Sequence, residues 1–81
     1  RNELGSTFIK LLERYAQELD TRNSKLMLAG VNPSVIKQLT KTHVTDTIPL
    51  TDIFPVTPIL GESVQYARIA AETWLETFKQ V

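Results

Sequence analysis

The chain contains no cysteine, one histidine and three widely separated glycines. Each scarcity removes a class of chemistry. Without thiols there is no disulfide framework, no thiolate zinc site and no cysteine nucleophile. That absence fits a reducing compartment better than a small secreted scaffold. With His43 alone, a multi-histidine metal site cannot form within the chain. Glycines 5, 30 and 61 build neither a dinucleotide fingerprint nor a phosphate-cradling loop, and no Gly-x-Ser-x-Gly elbow occurs. Nine basic residues balance nine acidic ones and are scattered along the chain. Phosphate-backbone binding needs a basic stripe that releases counterions, so nucleic acid is not an expected partner. No apolar run approaches the ~20 residues that cross a bilayer, so this segment is not expected to insert in a membrane. The expectation is a domain that is not an enzyme and holds no metal or cofactor.

What remains is a chain of 81 residues, 42% hydrophobic, enough for one small domain. At this size folding buries about 60–65% of the surface that the unfolded chain exposes, so a lone core is marginal. The first residue is Arg1, with no basic-then-apolar leader behind it, and the chain reads as a piece of something longer.

Phe8, Leu11, Leu12, Tyr15, Ala16 and Leu19 recur at helical spacing, which predicts a helix over about residues 6–20 with those side chains inward. The polar stretch 20–24 ends it. Residues 25–31, Lys-Leu-Met-Leu-Ala-Gly-Val, break that period. A short apolar run closed by glycine predicts a strand buried on both faces, the habit of parallel sheets. Asn32 and Pro33 then form a cap and a first-turn proline, with Val35, Ile36 and Leu39 inward, to about Lys41.

Pro49 and Pro55 forbid a long central strand in the next stretch, so a turn is expected over 46–52 and a short strand over 52–55. Thr57-Pro58 repeats the cap-then-proline device. A long helix follows with Leu60, Val64, Ala67, Ala71, Trp74 and Phe78 along one stripe, its start weakened by Gly61. Helix, strand, helix, strand, helix argues a parallel, layered α/β unit. Two strands do not cover three helices, so further strands are expected before Arg1 or from another chain. Alone, such a chain is expected to be weakly stable or to self-associate, because exposed strand edges pair.

Few residues stand out as sites. His43 is read as a solvated loop residue, and Glu72 and Glu76, one helical turn apart, as a solvated surface pair. Trp74 and Phe78 are read first as core; their alternative role is an apolar surface on which a partner docks. Ser6 is read as the N-cap of the first helix. The same helix mouth makes Ser6 and Thr7 the candidate phospho-acceptor or anion-binding position, because free N–H groups and the helix dipole favour negative charge there.

Three segments taken in order, STFIKLLERYAQEL (6–19), SKLMLAGVNPSVIKQLTKTHVTDTI (24–48) and IFPVTPILGESVQYARIAAETWL (53–75), resemble the C-terminal two-thirds of a STAS domain. The wording is most similar to the cytoplasmic STAS domain of bacterial SulP-family sulfate and anion transporters. The resemblance implies a layered α/β fold with a mixed or parallel sheet flanked by helices, present over residues 1–81 as an incomplete domain without its N-terminal strands. It implies a regulatory and interaction role at the cytoplasmic face of the inner membrane, as part of a larger membrane protein. The partners so implied are the membrane-spanning part of the parent transporter and either a regulatory protein or a second copy.

The alternative within the family is a soluble anti-sigma-factor antagonist, a partner-switching protein phosphorylated on serine. Aligning Glu13-Arg14-Tyr15-Ala16-Gln17 with the family's helix puts Ser6 at that phospho-acceptor. Its neighbours differ from the family's Asp-Ser-Ser-Gly pattern: Leu4 replaces the acidic residue, Gly5 the first serine and Thr7 the glycine. That variation is characteristic of transporter-type domains.

Overall fold

The computed structural model describes residues 5–79, with side chains described to residue 77. Three helices and two short strands alternate: α1 (Ser6–Thr21), β1 (Leu28–Val31), α2 (Pro33–Lys41), β2 (Ile53–Pro55) and α3 (Glu62–Lys79). Two 3-10 turns, Val44–Asp46 and Leu50–Asp52, fill the connection between α2 and β2. The strands are parallel, with Leu28 opposite Ile53 and Ala29 opposite Phe54. This is the expected α/β order, with the expected turn resolved into two tight pieces by Pro49.

The helix ends follow local chemistry. Asn32 caps α2: its side-chain oxygen accepts from the Ser34 N–H at 2.9 Å, and Pro33 occupies the first turn. Replacing Asn32 by alanine should therefore cost about 1 kcal/mol, read as a lower urea midpoint. α1 stops where Asn23 turns left-handed at φ 57°; the Ser24 N–H then reaches the Leu19 carbonyl at 2.8 Å, and Asn23 N–H the Asp20 carbonyl at 3.1 Å. His43 does the same for α2 at φ 65°, is exposed, and lies in the loop expected of it.

The core is Ile9, Ala16, Leu39, Val44, Ile48 and Ile53, with Leu12, Leu28, Val31 and Ile36 among the side chains packed on it. Leu28 and Val31 share this cluster although three positions apart, because the register shifts between Ala29 and Val31. Gly30 takes up the extra residue at φ 69°. α3 contacts both strands but contributes no side chain to the cluster among the described residues, so it covers the opposite face of the sheet.

Three expectations are corrected here. The face of α1 turned inward is centred on Ile9 and Ala16, whereas Phe8, Leu11 and Tyr15 are each 53% exposed. Helical spacing identifies an apolar stripe but not which edge of it meets the core. β1 is not fully buried on both faces: α3 packs on the second face but leaves Ala29 and Gly30 exposed, and among the described residues β1 pairs along one edge only. α3 does not start at the Thr57-Pro58 device. Thr57 instead closes a small turn with the Ile59 backbone, and Gly61 at φ 80° holds the chain outside helical space until Glu62. Leu60 and Val64 consequently face solvent, while Ser63, Ala67, Ala70, Ala71 and Trp74 form the covered side of α3.

Candidate functional site

Two places collect the residues that the sequence singled out, and they lie at different points of the fold. The first is the mouth of α1. Here the cap position is Gly5, extended at φ −72° and ψ 151°, and no side chain bonds to the first turn. Ser6 is already helical, so the expectation that Ser6 caps α1 is corrected: a residue with helical backbone cannot fold its side chain back onto the first-turn N–H groups as an N-cap does. Ser6 and Thr7 are both exposed, and no acidic residue occupies that turn. Ser6→Ala should accordingly change stability by less than about 0.5 kcal/mol, as surface substitutions do. A loss of about 1 kcal/mol in a thermal or urea melt would restore the cap.

The second place is a cleft of about 360 Å³ between the end of α1, the entry to β1, the turn before β2 and α3. Asp20, Lys25, Thr47, Ile48, Asp52 and Trp74 are among the residues that line it. Asp52 is held by the second 3-10 turn, and its side chain is only 6% exposed. A buried carboxylate needs a positive or hydrogen-bonding partner. Lys25 supplies one: its ammonium lies 3.4 Å from Asp52 Oδ1 and 5.3 Å from the centre of the Trp74 ring. The left-handed turn at Asn23 delivers Lys25 to this position, and Thr47 donates to Glu13 Oε2 at 3.4 Å to tie the cleft wall to α1.

Trp74 is a half-buried wall of this polar cleft. Phe78 belongs to α3, but its side chain lies outside the described residues. The structure does not bring Ser6 and Thr7 to this cleft. Sequence reasoning missed Lys25 and Asp52, which are 27 positions apart with no motif joining them. A signal existed for Asp52 alone, an acidic residue directly before the apolar pair Ile53-Phe54 of a short strand. No group of three or more metal-ligating side chains occurs among the described residues.

The fold is an alternating α/β unit with a short parallel sheet, an asparagine-capped helix after its first strand and an exposed serine at the first helix mouth. A family model of the STAS domain matches residues 2–59, and the chain belongs to that family. The matched span includes α1, both strands and α2 and ends before α3. Three helices and a two-stranded sheet agree with an incomplete STAS-like fold. Neither a curated protein nor a solved structure matches the chain significantly.

Proposed function

We propose that this STAS domain is the cytoplasmic regulatory and docking module of a SulP-type transporter of sulfate or a related inorganic anion. Membership of the family supports a regulatory or interaction role in general. The observation that carries the finer reading is the sequence Leu4-Gly5-Ser6-Thr7, where partner-switching relatives have Asp-Ser-Ser-Gly. In this reading the domain hangs from the membrane part at the inner face of the cell membrane and performs no catalytic step. Its partners are that membrane part and either a regulatory protein or a second copy. The edge of β1 that pairs with no strand among the described residues, together with the exposed Phe8, Leu11 and Tyr15, supplies apolar and hydrogen-bonding surface for such contacts. No helix among the described residues is long and apolar enough to cross a membrane, and this reading assigns the spans to another part of the parent.

The test is the coding sequence of the parent protein. About ten or more apolar spans of ~20 residues should lie upstream of this segment. A parent without them would end the proposal.

One observation favours the second reading, a soluble partner-switching antagonist. Ser6 is exposed at a helix mouth, and a phosphate there would add close to two negative charges to a docking surface. A cognate kinase and ATP, followed by mass spectrometry, would then find phosphate on Ser6. An unmodified Ser6 counts against that switch.

A further inference from the structure

The geometry of the cleft points to a site for a small organic cation, an alkylamine or alkylguanidinium, whose place Lys25 holds in the free protein. The inference does not depend on which parent carries the domain.

Charge is the first argument. Among the described residues lining the cleft, Asp20 and Asp52 oppose the ammonium of Lys25, which leaves these groups net negative. An incoming anion would meet two carboxylates, and an incoming cation would find them. Trp74 strengthens the bias, because the face of an indole ring carries negative potential that attracts cations.

Geometry is the second argument. Lys25 Nζ already occupies the spot that a bound cation would take, against Asp52 and over the Trp74 ring. It fills that spot imperfectly. A contact of 3.4 Å is long beside the roughly 2.7–2.9 Å of a well-made ammonium–carboxylate bond. The Lys25 side chain is 31% exposed, so its ammonium can swing into water on a flexible stem without being left buried and unpaired. Asp52, at 6%, cannot do the same and must keep a positive or hydrogen-bonding partner. A guanidinium suits the vacated place better than an ammonium, since its plane stacks on the indole while its parallel N–H groups bond both carboxylate oxygens.

Size sets the class. A cleft of about 360 Å³ lies near the lower end of small-molecule sites, which run from roughly 300 to 1,000 Å³. Ile48 and Leu26 in the lining suit a short alkyl chain behind the charged head.

Trp74 is the sole tryptophan of the sequence, so its emission reports the cleft directly. The chain is titrated at constant ionic strength with ethylguanidinium, butylammonium and propionate. We expect saturable changes with both cations, tighter for ethylguanidinium, and none with propionate. Lys25→Met removes the resident ammonium and should tighten ethylguanidinium several-fold. Asp20→Asn, at an exposed position, should weaken it several-fold. Saturation by propionate, no saturation by either cation, weaker cation binding in Lys25→Met, or no effect of Asp20→Asn would each overturn the proposal. Should Lys25→Met fail to fold, the cation-over-anion preference of the unaltered chain and the Asp20→Asn result still decide it.

Discussion

Leu39→Ala should lower the stability of this domain by about 2–5 kcal/mol, the range for deleting a large aliphatic side chain from a packed core. Leu39 is fully buried, on the inner face of α2, among the cluster that also holds Val44, Ile48 and Ile53. Removing it forfeits the transfer free energy of the lost methyl and methylene groups and leaves a void that stiff neighbours close only partly. The expected loss is large against the total. At roughly 0.05–0.15 kcal/mol per residue, a domain of this length has only about 4–12 kcal/mol to lose.

Leu60→Ala is the matched control, the same chemical change at a side chain that is 100% exposed. It should shift stability by no more than about 0.5 kcal/mol. Urea melts of the two variants give the comparison, with a midpoint displaced by about 1 M or more for Leu39→Ala at slopes of about 1–3 kcal/mol per M. Equal losses at the two positions would mean that the core lies elsewhere.

Gly30→Ala should cost about 1–2 kcal/mol, and for a reason separate from packing. Gly30 sits at φ 69°, where the register between β1 and β2 shifts. An L-residue there brings its Cβ against the following carbonyl oxygen. Space is not the obstacle: the nearest atom a Cβ would meet is Ser63 Oγ at 3.6 Å, an ordinary contact. The cost is therefore one of backbone chirality, which a synthetic chain can isolate. D-alanine at position 30 carries its Cβ on the other side and should match or exceed glycine in a thermal melt, because it also narrows the unfolded ensemble. If D-alanine destabilises as much as L-alanine, backbone chirality does not govern this position. Loss of the left-handed residue would also put Leu28 and Val31 on opposite faces of the sheet, so the strand and its core contacts fail together.

The two positions differ in how well the sequence announced them. Leu39 was legible, because a three-residue apolar pattern behind an asparagine–proline start fixes both a helix and its inner face. Gly30 was legible as a strand end but not as a bulge, since the bulge exists only relative to β2, more than twenty residues away. The same distinction runs through the site. Ser6 stood out from local sequence, yet its backbone is helical and Gly5 takes the cap. Lys25 and Asp52 looked unremarkable until folding placed them 3.4 Å apart.

The sequence by itself determined the α/β alternation, the start and length of α2, the three helices and the short second strand broken by proline. It also carried the family resemblance. These are properties of local periodicity, capping and backbone restriction, which act over a few residues and survive without tertiary context. Only the tertiary structure decided which edge of each apolar stripe is covered: Ile9 rather than Phe8 and Leu11 on α1, Ser63 rather than Val64 on α3. It alone made Trp74 a wall beside a buried carboxylate. Helical spacing leaves the rotation of an amphipathic helix uncertain by about one residue, some 100° of arc. That rotation is fixed by the surface against which the helix packs.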